Sequence, residues 1–68
     1  MNNIQLKNKI KELRNEKGLS QNELAYMVGT SRQTIIAIEK NTFCPTARLA
    51  YLLCLALDKT FEQLFYVE

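Results

Sequence analysis

The sequence predicts an all-α fold in which five short helices form one compact domain. The chain has 68 residues, the size of a single small domain, and 47% of them are hydrophobic, which is too many for a disordered chain. Apolar residues recur three and four positions apart, as they do on the buried face of an amphipathic helix. Ser or Thr precedes four of these segments in the position of a helix N-cap. We therefore expect a single domain over residues 1–68.

Glycines separate the first three helices. Helix one is predicted over Asn8–Lys17, and Gly18 follows it because glycine tolerates the positive φ that ends many helices. Helix two begins at Ser20, where Ser20 and Glu23 match the S-x-x-E capping box, and ends at Gly29. The side chains expected to face inward are Ile10, Leu13 and the methylenes of Lys17 in helix one, and Leu24, Ala25 and Val28 in helix two.

Helices three and four are predicted on either side of a loop, Asn41–Pro45. Helix three begins at Ser31 and ends near Lys40, and helix four is capped by Thr46 and ends near Leu57. The residues expected to face inward are Ile35 and Ile38 in helix three, and Leu49, Ala50, Leu53, Cys54, Ala56 and Leu57 in helix four. The outward positions of helix three are Arg32, Gln33, Ile36 and Ala37, with Thr34 to one side.

Helix four is apolar on a second face. Tyr51, Leu52 and Leu55 surround Arg48 on the side opposite the expected core. A helix that is apolar all round is buried on both sides or docks a partner. The sequence therefore indicates an extra partner surface or a tighter dimer at Tyr51, Leu52 and Leu55, with a local apolar patch as the alternative.

The two ends of the chain are predicted to lie together. Thr60 and Gln63 match a second capping box and begin helix five, whose apolar anchors are Phe61, Leu64 and Phe65. Apolar and polar residues alternate in Asn3–Leu6, and Tyr66–Glu68 has an extended pattern. Both features are compatible with a short β-ribbon that joins the N- and C-terminal ends.

Composition excludes several functional classes. The chain has no histidine, no phosphate-binding glycine loop and no nucleophile beside a base, so nothing supports an enzyme. Its two cysteines lack the spacing of zinc ligands, and we expect no metal and no cofactor. Neither a signal peptide nor an apolar run of about 20 residues is visible, so the expected location is the cytosol, with no membrane partner.

Charge is unevenly distributed along the chain. The net charge is +2, but residues 1–17 hold five basic and two acidic residues, whereas residues 41–68 hold two basic and three acidic ones. The basic end is suited to a polyanion, and a solvated helix face accounts for the same charges. Charge alone therefore does not decide the function.

Residues 20–39 carry the motif that indicates function. Two helices are separated by about three residues, with Gly29 at the turn and the small Ala25 where the helices would cross. This is the helix-turn-helix pattern. The stretch resembles the Cro/repressor-type helix-turn-helix of the XRE family, and LRNEKGLSQNELA, GTSRQTIIAIEKN and TFEQLF extend the similarity over Asn8 to Phe65. The resemblance implies binding of double-stranded DNA, with residues 31–40 as the recognition helix.

The resemblance also implies which residues contact the bases. The start of helix three reaches base edges in the family, and the matching residues are Ser31, Arg32, Gln33, Thr34 and Ala37. Gln33 is suited to adenine, whereas Arg32 is suited to guanine or to a nonspecific phosphate contact. Relatives often carry a longer polar residue at the position of Ala37, so we expect fewer hydrogen bonds there.

Phosphate contacts follow from the same resemblance. The matching residues are Gln21, Asn22, Lys40, Asn41 and Thr42. Gln21 lies at the N-terminus of helix two, where backbone N–H groups favour an anion. The alternatives are an exposed Gln21 without a role and a solvated loop at residues 40–42. Lys9 and Arg14 are secondary candidates, because helix one usually braces the core in the family.

Relatives pair through helix five and the loop before helix four, which implies a homodimer. The residues that match this interface are Cys44, Phe61, Phe65 and Tyr66. Closure of the monomer core is the alternative for the two phenylalanines. Cross-linking of two copies through Cys44 on oxidation is a further hypothesis, and the absence of any redox role is the simpler expectation.

We therefore expect a sequence-specific regulator that binds a two-fold-symmetric operator as a homodimer. With no activation or ligand domain attached, it would repress by occupying a promoter. The alternative is a protein-interaction module, such as an antitoxin, that acts through a protein docked on the face formed by Tyr51, Leu52 and Leu55. Co-purification of a stoichiometric partner would distinguish the two.

Overall fold

Five α-helices and one antiparallel β-ribbon form the fold. A computed structural model of the chain describes residues 4–68. The elements in chain order are β1 (Leu6–Asn8), α1 (Ile10–Glu16), α2 (Gln21–Val28), α3 (Arg32–Glu39), α4 (Ala47–Leu57), α5 (Phe61–Leu64) and β2 (Phe65–Val67). The predicted five-helix fold with a terminal ribbon is confirmed. Among residues 4–68, no helix combines the length and the apolar character needed to cross a membrane.

Local capping signals set most helix boundaries. The side chains that accept a backbone N–H at a helix N-terminus are Ser20, Ser31, Thr46 and Thr60. The capping boxes predicted at α2 and α5 are both complete. Gly29 ends α2 with a φ of +72°, a left-handed conformation in which a Cβ would be strained. Because these signals are local, the chain enters and leaves the helix-turn-helix at the predicted residues.

One apolar core holds the five helices together. The inner faces of α2 and α3 pack against each other, and α4 packs across α2. The side chains that are fully shielded from solvent are Ile10, Leu24, Ile35, Ile38, Leu53, Leu57 and Leu64. Since α3 contributes only its inner face to this core, its outer face is left for other contacts.

The ribbon lies at other residues than predicted, since the sequence predicts Asn3–Leu6 and Tyr66–Glu68 whereas the strands are Leu6–Asn8 and Phe65–Val67. β1 begins at Leu6, and its pairs with β2 are Leu6 with Val67, Lys7 with Tyr66 and Asn8 with Phe65. Asn8 therefore belongs to the strand, and α1 begins at Ile10 rather than at Asn8. Ile4 and Gln5 precede the strand, and Asn3 lies outside the described residues. The reason is tertiary, because Phe65 must enter the core and thereby fixes which residue of β1 lies opposite it.

One residue on a predicted face of α1 and one on a predicted face of α4 are placed differently. Lys17, which was expected to face inward, is exposed, and Arg14 is buried on that side of α1 instead. On α4, Leu52 is half-buried and packs against the core instead of joining Tyr51 and Leu55 on the outer face. Arg14 is buried because a partner satisfies its charge.

That partner is Glu39, the last residue of α3. Arg14 Nε donates to Glu39 Oε2 at 2.8 Å and Arg14 Nη2 donates to Oε1 at 3.3 Å, so the pair is bidentate. The two side chains are only 9% and 5% exposed. Arg14 Nη1 also donates to the carbonyl of Leu19 at 2.9 Å. The ion pair therefore ties α1 to the end of α3 and to the segment that leads into α2.

We expect Arg14→Met to lower the free energy of unfolding by about 3 kcal/mol, because it leaves the Glu39 carboxylate buried without its cation. Adding Glu39→Leu should recover at least half of that loss, since no uncompensated charge then remains. Urea unfolding followed by circular dichroism measures both. Lys17→Met is the control, an exposed change on the same helix that should alter stability by less than about 0.5 kcal/mol. A loss below about 1 kcal/mol in Arg14→Met would show that the pair does not anchor the fold.

We expect Glu23→Gln to reduce the pH dependence of stability. Hydrogen bonds with the backbone N–H and the hydroxyl of Ser20 hold the pKa of Glu23 below its ordinary value. The unfolded chain therefore binds this proton more tightly, and the stabilisation from Glu23 is present above about pH 4 and lost as the pH falls through the lowered pKa. Gln accepts the Ser20 N–H at any pH, so the difference in Tm between pH 7 and pH 3 should be smaller than in the wild type. An unchanged difference would contradict this assignment.

Candidate nucleic-acid interface

The N-terminal end of α3 presents two long polar side chains to solvent. Arg32 and Gln33 are exposed, and within residues 4–68 neither side chain forms a hydrogen bond or an ion pair. Arg carries five donors in a planar fork, and Gln carries both donors and an acceptor. These two side chains therefore keep their full hydrogen-bonding capacity for another molecule.

Ser31 and Thr34 have less capacity left. The hydroxyl of Ser31 accepts the backbone N–H of Thr34 at 3.1 Å, and the two hydroxyl oxygens lie 3.0 Å apart. Ile36 and Ala37, farther along the same helix, are half-buried. The outer face of α3 is thus polar and free at its first turn, and apolar in its second half.

The N-terminus of α2 offers two backbone donors. The N–H of Ser20 donates to Glu23 Oε1 at 2.8 Å, and the N–H of Glu23 donates to Ser20 Oγ at 3.0 Å. Within residues 4–68, the N–H groups of Gln21 and Asn22 have no such partner. Free N–H groups at a helix N-terminus favour an anion such as a phosphate. The carboxylate of Glu23 offsets part of this positive end.

The side chain of Gln21 is held in place. Its amide nitrogen donates to Glu39 Oε1 at 3.1 Å, so the buried pair of Arg14 and Glu39 extends to the start of α2. Arg14 is consequently engaged inside the fold, which weighs against its being a phosphate contact. Sequence reasoning missed Glu39, although its place four residues after Ile35 is on the inner stripe of α3.

The loop after α3 is fixed mainly by its own backbone. The N–H groups of Lys40, Asn41 and Thr42 all donate to carbonyls in the last turn of α3. The hydroxyl of Thr42 also donates to the carbonyl of Ala37 at 3.1 Å. What remains for a ligand is the ammonium of Lys40 and the amide of Asn41, both on exposed residues. Asn8, which was not predicted as a functional residue, contacts this loop through Asn41.

A second exposed surface lies between α4 and α5. It is a groove of about 650 Å³, which we call the α4–α5 groove. Its residues are Ala47, Ala50, Tyr51, Cys54, Leu55, Asp58, Lys59, Thr60, Phe61 and Gln63. Tyr51, Leu55 and Phe61 are 65%, 60% and 47% exposed. Burial raises the pKa of the Cys54 thiol. The groove joins two surfaces that were predicted separately from the sequence, the outer face of α4 and the dimer contact at Phe61.

The four residues predicted at a dimer interface are dispersed. Phe61 borders the groove and stacks on Phe65, with the ring centroids 4.8 Å apart. Phe65 is only 4% exposed and closes the monomer core. Tyr66 lies in β2 beneath the ammonium of Lys9, 5.8 Å from its ring, and Cys44 is exposed in the loop before α4. Of the four, Phe61 has the largest apolar surface available to a partner.

Comparison with known proteins places this architecture in a family. A helix-turn-helix family model matches residues 10–64. An HTH-type transcriptional regulator of Bacillus subtilis, YgzD, which is described as uncharacterized, is 44% identical over 63 residues, covering 93% of this chain and 96% of that one. Another uncharacterized HTH-type transcriptional regulator, from Methanothermobacter thermautotrophicus, is 45% identical over 60 residues and covers 87% of each chain.

A solved structure supports the same assignment. The restriction-modification controller protein C.AhdI of Aeromonas hydrophila superimposes with a TM-score of 0.75 at 31% identity, over 79% of this chain and 82% of that one. The chain therefore belongs to the helix-turn-helix regulators of the XRE family, with a Cro/repressor-like fold, and is a DNA-binding transcriptional regulator rather than an enzyme.

Proposed function

We propose that the protein is a homodimeric repressor that inserts α3 into the major groove of a two-fold-symmetric operator. The observation that carries the proposal is the free first turn of α3, where Arg32 and Gln33 have no intramolecular partner within residues 4–68. In helix-turn-helix proteins the N-terminal residues of the second helix contact base edges. A dimer that covers a promoter excludes the polymerase from it, so repression needs no contact beyond operator binding.

Base reading is assigned to the first turn of α3. Gln33 would bond adenine N6 and N7, and Arg32 would bond guanine O6 and N7 or a neighbouring phosphate. Ser31 and Thr34 would add one hydroxyl contact each at most, because they already bond each other. Ala37 would contribute apolar contact, for example with a thymine methyl group.

Phosphate binding is assigned to the two segments that flank this turn. The N–H groups of Gln21 and Asn22 would hold one phosphate at the start of α2. Lys40 and Asn41 would hold another beyond the end of α3. The neighbouring hydroxyl of Thr42 already donates its hydrogen to the carbonyl of Ala37, so it has none for a phosphate. Phosphate contacts orient the protein without reading sequence, so they complement the base contacts.

Dimerisation is assigned to the α4–α5 groove. A two-fold axis brings the same patch of both copies together, so the patch must complement itself. Tyr51, Leu55 and Phe61 supply apolar area, and the rim carries Asp58 beside Lys59, whose opposite charges can pair across such an axis. Two recognition helices would then read half-sites about 34 Å apart.

A protein partner on the outer face of α4 is the second candidate. Leu52 is turned toward the core, so Tyr51 and Leu55 alone remain of the predicted face. These two residues are continuous with Phe61 in one groove, and a second copy of the chain accounts for all three. Co-purification of a different stoichiometric protein would favour the antitoxin interpretation instead.

The proposal is tested by selecting from a pool of random duplex DNA with the purified protein, near physiological salt and with competitor DNA. Enrichment of a short two-fold-symmetric sequence is the expected result. Failure to enrich any sequence would overturn operator binding by this chain alone.

We expect Gln33→Ala to lose about 1–3 kcal/mol of discrimination at one base pair of each half-site, with nonspecific binding nearly unchanged. Lys40→Ala should instead weaken binding to all sequences alike. The slope of the logarithm of the binding constant against the logarithm of salt concentration should fall in magnitude by about 1 per contact. Lys11→Ala removes the same charge from an exposed site on α1 and is the matched control. Fluorescence anisotropy at several salt concentrations measures all three.

An unchanged sequence preference in Gln33→Ala would show that the first turn of α3 is placed wrongly. Equal effects of Lys40→Ala and Lys11→Ala would show that the loop after α3 acts only through net charge.

We expect Leu55→Glu to convert the dimer into a folded monomer, because it places a charge in the apolar part of the α4–α5 groove. Operator affinity should fall at least 100-fold, since each half-site is then bound independently. Tyr26→Glu, at an exposed aromatic residue of α2, is the control and should leave the dimer intact. Sedimentation equilibrium measures the mass of each, and a dimeric Leu55→Glu variant would move the interface elsewhere.

A further inference from the structure

Asn8 lies outside the helix-turn-helix, yet its side chain joins β1 to both α1 and the end of α3. Its amide nitrogen donates to the carbonyl of Ile38 at 2.9 Å and to Asn41 Oδ1 at 3.2 Å. Its amide oxygen accepts the N–H of Ile10 at 3.2 Å. One side chain thus serves three partners, of which one is two residues away and the other two are 30 and 33 residues away in the sequence.

Two backbone groups fix the orientation of the Asn8 amide. The carbonyl of Ile38 can only accept and the N–H of Ile10 can only donate, so Asn8 must direct its nitrogen to the first and its oxygen to the second. The same nitrogen faces Asn41. Asn41 must therefore turn its oxygen toward Asn8, which leaves its NH₂ group directed away.

The backbone of Asn41 is fixed as well. Its φ is +61°, a left-handed conformation that Asn tolerates better than most residues. Its N–H donates to the carbonyl of Ile38 at 3.0 Å, the same oxygen that Asn8 binds. Backbone and side chain are thus held together, and Asn41 presents two N–H donors on an exposed residue directly after the recognition helix.

We infer that Asn8 is a positioning residue for DNA binding, which holds the NH₂ group of Asn41 as the donor to a phosphate. This inference rests on the phosphate contact proposed for Asn41. An amide that turns freely presents its oxygen as readily as its nitrogen, and an oxygen repels a phosphate. Because Asn8 accepts only one orientation of the Asn41 amide, that amide is already ordered before DNA binds. Binding therefore loses less conformational entropy.

A double-mutant cycle tests the inference with the full-length chain and the selected operator. We expect Asn41→Ala to weaken binding about tenfold, the effect of one hydrogen bond to a charged group, and Asn8→Ala to weaken it about threefold. In the double variant the effect of Asn8→Ala should vanish, because Asn41 is the group through which it acts. The salt slope should stay that of the wild type in every variant, since no charge is removed.

Asn8→Asp is the sharper variant. The new carboxylate only accepts, so Asn41 should turn its NH₂ group inward and its oxygen toward the phosphate. We expect a larger loss of affinity than in Asn8→Ala, and a smaller one when Asn41→Ala is also present. Repulsion between the new charge and DNA acts in both backgrounds, so the comparison isolates the orientation of Asn41.

Glu68→Gln is the control for the ribbon itself, because it breaks the ion pair with Lys7 at 3.3 Å without touching a basic residue. Circular dichroism confirms that each variant is folded at the temperature of the assay. An effect of Asn8→Ala that persists in the Asn41→Ala background, or an equal effect of Glu68→Gln, would overturn the inference. If the wild type binds operator and Asn41→Ala matches it, the phosphate contact and the inference both fail while operator binding stands. If the wild type binds no DNA, the proposed function itself fails.

Discussion

The buried ion pair between Arg14 and Glu39 is the interaction on which the arrangement of the first three helices depends. Removing two charges from water costs several kcal/mol for each ion, and only a close pair with further hydrogen bonds offsets that cost. Here Arg14 also donates to the carbonyl of Leu19, and Glu39 also accepts from Gln21. Within residues 4–68, every buried polar side-chain atom has a hydrogen-bond partner. The pair therefore sets the positions of α1, α2 and α3 through directional contacts. Apolar packing in so small a core fixes these positions less specifically.

The donors of the proposed DNA surface divide into two groups. Apart from the ammonium of Lys40, those proposed for phosphates are held by the fold, namely the backbone N–H groups of Gln21 and Asn22 and the amide of Asn41, whereas Arg32 and Gln33, proposed for bases, are free within the described part of the chain. This difference in mobility suits the two parts of DNA, the phosphate backbone and the base edges. The phosphate backbone repeats regularly, so fixed donors can match it, while base edges vary and are read by side chains that can adjust. In the proposed complex, the fold would thus supply the orientation, and the first turn of α3 would supply the selectivity.

Sequence reasoning succeeded where the signals are local. The N-caps, the two capping boxes and the left-handed Gly29 each depend on residues within one turn, and all of them are present. It failed where a residue is defined by a distant partner. Arg14 lies four residues after Ile10, on the buried stripe of α1, but a charged side chain is expected in solvent unless its partner is known. Leu52 and the bounds of the two ribbon strands were misplaced for the same reason, since the packing of other elements decides both.

The candidate site was predictable to a similar extent. The motif identified which residues match contact positions. It could not predict which of these residues already form hydrogen bonds inside the protein. The hydroxyl of Thr42 is engaged with Ala37, and Phe65 is in the core, although both match positions that contact DNA or a partner in the family. Glu39 and Asn8 touch no proposed ligand and act through other residues, so a motif that records contact positions does not point to them.

The ribbon also orders the events of biosynthesis. β1 pairs with β2, and nearly the whole chain lies between Leu6 and Val67. On the ribosome, the capped helices α1 to α4 emerge and can pack while β1 still has no partner strand. Asn8 is placed in its strand only when residues 65–67 have cleared the exit tunnel. A nascent chain would therefore form α3 before Asn8 supports the loop beyond that helix, and this support would follow only after residues 65–67 have left the tunnel.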